Sequence, residues 1–269
     1  MFNTLSTERL KQITPSVFTE NSAQGTSDKY QHISTAKVVD ALLTEGFMPT
    51  QATQCNCRKS DNKAYTKHLL RFRHTDARPT PSGLYPEIVL INSHDGLSSY
   101  RLMAGIYRIV CSNGLVAGNF YNEIRVRHQG NIVYEVIEGS YSVIEDSRKM
   151  IESAEKMSSI KLSIPEKIAF AEAAHAIRFD NSPISDSIDS SKLLTPRRFE
   201  EMNKDDLFTL FNVAQENIIK GGVRGYAVSP NRRPKRISTR AINSIDQNII
   251  LNRALWSLAE NMMQQRGIH

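Results

Sequence analysis

The sequence has 269 residues, of which 40% are hydrophobic and 23% are charged, so it can bury one substantial core or two smaller ones. No apolar run approaches the roughly 20 residues that span a bilayer. Residues 1–6 also lack the basic and apolar regions of a signal peptide. We therefore expect a cytoplasmic protein with no membrane partner.

The net charge of +6 is distributed unevenly along the chain. The net charge is +6 for residues 58–130, −6 for residues 131–216 and +7 for residues 217–240. Two basic segments that flank an acidic one can neutralise it across a folded interface. They can also form two walls of a groove for a polyanion. Charge alone leaves both interpretations open.

The first part of the chain is predicted to be rich in β-strands. Ser34 is a good cap for a helix that ends at Gly46, and after it the apolar residues alternate with a period of two. Strands are predicted at 47–58, 64–74, 88–91, 102–110 and 121–128, with a proline-containing loop at 76–86.

From Ile132 onwards the apolar period becomes helical. Helices are predicted from 132, from a Ser163–Glu166 capping box to 178, from an Asn203 cap to Gly221-Gly222, and at 245–265. The basic segment 221–240 is predicted to be a loop, either disordered or ordered by an anion. We predict one α+β domain over 1–269. Its strand-rich sub-part, 1–130, has antiparallel hairpins and one helix, and a mostly helical sub-part, 131–269, packs on the sheet.

Cations on alternating strand positions are the first candidate binding residues. Lys67, Arg71 and Arg73 share one face of the strand 64–74, and this face is either a solvated outer surface or a phosphate-facing one. The basic segment 221–240 adds further cations. The candidate nucleic-acid-binding residues are Lys67, Arg71, Arg73, Arg125, Arg127, Arg224, Arg232, Arg233, Lys235 and Arg236.

The stretch Glu87–Gly118 carries the second candidate site. An apolar strand stops at the polar residues 92–96, and Arg108 lies inside the next apolar segment. We expect this cluster to be a hub that pairs with polar motifs of the helical half, with Asp95 bound to Arg197 or Arg198; a ligand or active site is the alternative. The residues of this set are Asn92, His94, Asp95, Arg108, Asn113, Arg197, Arg198, Gln215, Glu216, Asn217 and Asn252. The amide of Asn252 lies in an apolar stripe, and we expect a loop to satisfy it.

Several motifs, in order, resemble a family of plasmid, prophage and phage proteins catalogued as domain of unknown function 932. The resemblance runs from about residue 27 to about residue 262. The matching motifs are YTKH at 65–68, NSHDG at 92–96, RIVCSNGL at 108–115, RR at 197–198, QEN at 215–217, GG at 221–222 and NRALW at 252–256. The resemblance implies a bacterial mobile element, and hence DNA maintenance, recombination or a response to host defence. The order of strands and then helices is also similar to that of phage single-strand annealing proteins, by fold-level analogy alone.

Three functions follow from these features. The favoured one is non-enzymatic binding of single-stranded DNA, with a role in annealing or recombination, by a ring or filament of like subunits, because arginine-bearing strands and tyrosines can follow a nucleotide backbone. The alternative is an anti-defence or regulatory protein that binds a host protein or a small ligand through residues 92–96. A metal-dependent nuclease using His94, Asp95 and Glu123 is disfavoured, because paired carboxylates at a two-metal spacing are missing. We expect no cofactor, no metal and no catalytic residue.

Overall fold

The structure is a computed structural model that describes residues 3–26, 32–56, 60–96, 98–109, 113–116, 123–126, 132–229 and 232–267. In chain order, its helices and strands are α1 (Thr7–Ile13), α2 (Thr35–Thr44), β1 (Phe47–Gln54), β2 (His68–His74), β3 (Leu84–Asn92), β4 (Tyr100–Arg108), β5 (Asn113–Val116), β6 (Glu123–Val126), α3 (Ile132–Ser159), α4 (Ile164–Phe179), α5 (Leu207–Lys220), β7 (Arg224–Ser229), β8 (Arg232–Ser238) and α6 (Ile245–Gln265). This order confirms the predicted α+β class.

The chain divides into two compact units, Met1–Ile151 and Glu152–His269. The division falls inside α3 and not at the predicted boundary between the two sub-parts, 130/131. The single domain predicted for 1–269 stays a prediction. None of the helices in the described part of the chain is long and apolar enough to cross a membrane.

The first unit is built on a six-stranded antiparallel sheet. The strand order is β1-β2-β3-β4-β5, and β6 pairs with the N-terminal half of β4 whereas β5 pairs with its C-terminal half. Because side chains alternate across a strand, Leu70, Leu90 and Leu102 lie opposite one another on one face, and all three are fully buried. This face forms the apolar core of the unit.

Helix α3 packs on this sheet through small side chains. A Cβ atom added to Gly139 would lie only 3.1 Å from Ile124 and 3.2 Å from Leu102, so glycine allows a close approach. Two turns further along, the Ser147 hydroxyl donates a hydrogen bond to the Glu87 carbonyl at 2.9 Å and accepts one from the Gly105 amide at 3.3 Å. These contacts fix the helix over the middle of the sheet.

The third strand is longer than predicted, because β3 begins at Leu84 and includes Pro86. A proline cannot donate a ladder hydrogen bond and is usually excluded from a central strand. Here the pairing of β2 with β3 ends at Ile88, while Pro86 pairs with Ile106 of β4. Strand β3 is thus paired on one side only at this point, which makes the proline acceptable.

The second unit contains α4, α5, α6 and a two-stranded sheet. Helix α5 is capped by Asp206, whose carboxylate accepts a hydrogen bond from the Thr209 amide at 2.8 Å, and the predicted cap, Asn203, is wrong. Asn203 lies in the preceding turn, with a φ of 62°. The predicted bounds of α6 and the helix end at Gly221 are confirmed.

The segment predicted to be a loop, 221–240, forms a β-hairpin from β7 and β8. Its base is fixed by hydrogen bonds between Gly222 and Thr239 at 2.8 Å and between Thr239 and Val223 at 2.9 Å. A Cβ atom at Gly225 would lie 1.9 Å from the Ser187 carbonyl oxygen, so the hairpin also packs tightly on the loop that precedes α5. The sequence pattern missed the strands because cations replace the alternating apolar residues.

Candidate functional site

Two of the predicted nucleic-acid-binding arginines are buried. Arg71 is 4% exposed and Arg73 is 3% exposed, so the prediction of an open cationic face on β2 is wrong. The physical reason is Glu87, a fully buried carboxylate on the neighbouring strand β3. Its oxygens accept hydrogen bonds from Arg71 at 2.9 Å and from Arg73 at 2.6 Å.

Tyrosines complete this buried cluster. The Arg73 guanidinium lies 4.4 Å from the ring centres of both Tyr85 and Tyr107, which face each other across β3 and β4. Cation–π contacts and the shared carboxylate offset the cost of burying the charges. The cluster therefore links β2, β3 and β4 through paired side chains. Glu87 is an acidic residue inside an otherwise apolar strand, two residues after Tyr85. This was the signal in the sequence that could have revealed the buried cluster.

A second buried polar network surrounds His68 of β2. The two nitrogens of its ring contact the hydroxyl of Ser16 at 2.9 Å and the hydroxyl of Thr35 at 3.0 Å. The Asn92 amide donates to the Thr35 hydroxyl at 3.0 Å. Burial disfavours the imidazolium form and lowers the pKa of His68 to about 4. The network joins the sheet to α2 and to the turn after α1, a role for His68 that sequence reasoning missed.

The predicted cluster at 92–96 lies beside this network. The fully buried ring of His94 lies between two other histidine rings, with its centre 4.6 Å from that of His32 and 5.4 Å from that of His68. Asp95 accepts a hydrogen bond from the Ser93 hydroxyl at 2.6 Å. Arg108 is 6% exposed and stands opposite Asn113 in the β4–β5 register.

The predicted hub residues of the second unit make contacts within that unit. Arg198 binds Glu216 and also lies 3.4 Å from Glu201, and Arg197 donates to the side chain of Asn217 at 2.7 Å. Burial opposes the charge of Glu216, but hydrogen bonds from Arg198 and Lys220 outweigh it and lower the pKa of Glu216. The pairing of Asp95 with either arginine stays a prediction.

The polar stripe of α5 is a buried surface. Gln215 and Asn217 are 2% and 4% exposed, so this stripe does not face solvent. Gln215 donates to Asn252 at 3.0 Å, and Asn252 also donates to the Asn248 carbonyl at 2.9 Å. The amide of Asn252 is therefore satisfied by helices α5 and α6, and not by a loop as predicted.

Three cations of the β7–β8 hairpin are accessible to solvent. Arg224, Lys235 and Arg236 are exposed, and the ring of Tyr226 is 52% exposed. Tyr226 pairs with Arg236 across the two strands, and the hydrogen bond from this arginine lowers the pKa of Tyr226. Arg232 and Arg233 belong to the same hairpin through β8. An exposed aromatic ring among cations without a neighbouring acid on either strand can contact a polyanion.

The other predicted cations are separated from this hairpin in sequence. Lys67 is half-buried before β2, while the Arg125 side chain on β6 is 67% exposed and binds Glu123 at 2.8 Å. Arg127 lies outside the described residues. Strands β2 and β6 do not pair, because β3 and β4 lie between them. The continuous arginine stripe that neighbouring strands would have made is not formed.

Within the described ranges, no group of three or more His, Cys, Asp or Glu side chains is arranged to hold a metal ion. His94 and Asp95 instead make the packing and hydrogen-bond contacts given above. The described residues form two buried polar clusters in the first unit, a buried one in the second unit and an exposed cationic surface on the hairpin. Among these features, the cationic surface of the hairpin is the one whose charged groups are exposed to a large ligand.

Comparison with known proteins identifies the family. Residues 24–256 match the family described as Domain of unknown function (DUF932). The chain is also similar to two Escherichia coli (strain K12) proteins, UPF0380 protein YfjQ and UPF0380 protein YafZ. Each is 40% identical over 263 residues, which are 97% of this chain and 92% of the relative. No solved structure matches. The chain belongs to the DUF932 family.

Proposed function

We propose that this DUF932 protein is a non-enzymatic nucleic-acid-binding protein of a bacterial mobile element. Its favoured ligand is single-stranded DNA in the cytoplasm, in annealing or recombination. The single observation that carries the proposal is the β7–β8 hairpin, in which five cations and the exposed Tyr226 stand on one short ribbon without an acid. Cations track phosphates, and an aromatic ring stacks on bases of any sequence.

The hairpin is held in place by the rest of the second unit, which supports its use as a binding surface. The Lys192 ammonium group donates to the Arg224 carbonyl at 3.0 Å, and Gly225 packs on the Ser187 carbonyl. A surface that is ordered before binding loses less conformational entropy when it binds. This favours the hairpin over the buried Arg71 and Arg73 as the nucleic-acid contact.

The proposal is tested by fluorescence anisotropy with a labelled single-stranded oligonucleotide at low salt. We expect Tyr226→Ala to weaken binding about tenfold, because one base–aromatic stack is lost, and Tyr226→Phe to retain most of the affinity. Lys235→Ala with Arg236→Ala should also weaken binding at least tenfold, since two phosphate contacts are lost. As a matched control, Arg9→Ala with Lys204→Ala removes two exposed cations from other elements and should leave the affinity unchanged.

Absence of binding by the unmodified protein at low salt would end the proposal. It would favour the alternative, an anti-defence or regulatory protein with a host-protein or small-ligand partner, which should purify free of nucleic acid. We further propose that copies of the protein assemble on the strand as a ring or filament. Light scattering after size-exclusion chromatography should then show a larger particle when the oligonucleotide is added, and a constant monomer mass would contradict assembly.

A further inference from the structure

A small cavity in the first unit is lined by none of the residues that carry the nucleic-acid proposal. It has a volume of about 300 Å³, and its walls come from β1, the end of β2 and α3. The side chains that give it chemical character are those of Phe47, His74, Asp76, Tyr141, Glu145 and Arg148. The volume lies at the small end of ligand pockets, so the cavity suits a compact head group.

Three aromatic rings surround this cavity at different angles. The ring centre of Phe47 lies 5.0 Å from that of His74, with 75° between their planes. The ring centre of Tyr141 lies 5.8 Å from that of Phe47, with 68° between their planes. Phe47 is 1% exposed and packs against the other two rings, so a cation in the cavity would contact mainly His74 and Tyr141. Aromatic faces of this kind recognise alkylated ammonium groups.

The charges at the cavity also favour a cation. Asp76 and Glu145 bring carboxylates to the lining, and Arg148 brings one guanidinium, which binds Glu145. The Tyr141 hydroxyl donates to the Glu45 carboxylate at 2.6 Å, and this hydrogen bond raises the pKa of Tyr141. It also leaves more negative charge on the ring. Two lining carboxylates against one guanidinium leave a net negative charge at the cavity, which disfavours an anion.

We propose that this cavity binds an alkylated ammonium ion, with the aromatic rings contacting the methyl groups and Glu145 and Asp76 balancing the charge. This ion could belong to a free quaternary ammonium compound or to a methylated lysine side chain, because both carry the same alkylated ammonium group. This site is independent of the β7–β8 hairpin. Its ligand has the opposite charge to a nucleic acid, so the two proposals can fail separately.

The test compares choline with its neutral isostere, 3,3-dimethyl-1-butanol, by saturation-transfer NMR and calorimetry on the full chain. We expect choline to bind at least ten times more tightly than the isostere, because the isostere has the same shape but lacks the charge that the rings and carboxylates recognise. A trimethyl-lysine peptide forms the second arm. Tighter binding of the peptide than of choline would assign the head group to a protein, and the reverse would assign it to a free compound.

Two variants on α3 provide a further test, because removal of a negative charge and removal of a positive charge should change choline affinity in opposite directions. Glu145→Gln should weaken choline binding several-fold, whereas Arg148→Ala should strengthen it, since a competing cation is removed. Tyr141→Ala should abolish binding and Tyr141→Phe should keep most of it. Because Tyr141→Ala also removes contacts with Phe47 and Glu45, circular dichroism should show that this variant is folded at the assay temperature.

Two results would overturn the proposal. One is equal binding of choline and its neutral isostere, which would make the cavity a site for neutral apolar groups. The other is the absence of choline and peptide binding at millimolar concentration. Loss of binding in Glu145→Gln and in Arg148→Ala alike would also contradict it, because the two changes shift the local charge in opposite directions.

Discussion

The buried side chain of His68 should contribute to the pH dependence of stability in the first unit. The pKa of His68 is about 4 in the folded chain, below its ordinary value of 6.5, because burial disfavours the imidazolium form. The unfolded chain therefore binds more protons than the folded one between these two values. The free energy of unfolding should rise with pH across this window, by about 3 kcal/mol in total.

The measurement is urea unfolding at several pH values from about 4 to 7, compared with His68→Gln. Glutamine can hydrogen-bond to the Ser16 and Thr35 hydroxyls but does not titrate. The variant should be less stable at neutral pH, and its stability should change less between about pH 4 and pH 6.5 than that of the parent. Parallel pH profiles of the two proteins would show that His68 does not carry this pH dependence.

The sequence correctly predicted which side chains share a face of β2, but it did not predict what lies against that face. The alternation of residues 67–73 correctly separates Arg71 and Arg73 from Leu70 and Phe72. It could not show that Glu87, from another strand, lies against both arginines. Whether a charged side chain is buried depends on a partner residue that the fold brings next to it. The alternation of side chains between two faces depends on the strand alone.

Arg71 and Arg73 of β2 and Glu87 of β3 form a buried ion cluster across two adjacent strands. Its contribution to stability is therefore a property of the sheet and not of one residue. Glu87→Gln keeps the shape of the side chain but leaves two buried guanidiniums without their carboxylate. We expect a loss of about 3–5 kcal/mol in unfolding free energy, as for other buried pairs that lose one partner. Thermal or denaturant unfolding followed by circular dichroism measures it.

A matched variant separates the loss of charge balance from the loss of packing. Arg71→Met, Arg73→Met and Glu87→Leu together replace the whole cluster by apolar side chains of similar size. This triple variant should be much more stable than Glu87→Gln alone. Equal destabilisation of the two variants would contradict this expectation and would show that apolar side chains do not replace the contacts of Arg73 with Tyr85 and Tyr107.

Elements with strong local signals were predicted well and others were not. Ser163 with Glu166 marks the start of α4, and the capping box is present. The apolar spacing of α6 gives its bounds correctly. The β7–β8 hairpin has no apolar alternation, and its strands are held by backbone bonds at Thr239 and by the fit of Gly225 on Ser187. These are contacts between distant residues, which no local pattern contains.

For the whole molecule, net charge and local charge make different predictions about nucleic-acid binding. The chain carries a net charge of +6, yet the hairpin alone contributes five cations. At physiological salt, a charge acts over about 8 Å, so cations outside the contact surface should matter little. Binding should depend on where the charges lie and not on their total.

Salt titration shows whether binding depends on the total charge or on where the charges lie. If the five hairpin cations each contact one phosphate of single-stranded DNA, the logarithm of the binding constant should fall with the logarithm of salt with a slope of about −3.5. Lys235→Ala with Arg236→Ala should reduce its magnitude by about 1.4, because each phosphate contact contributes about 0.7. Lys67→Ala with Arg125→Ala, which changes the net charge equally, should leave the slope unchanged. A similar reduction in both double variants would show that the contact surface extends beyond the β7–β8 hairpin.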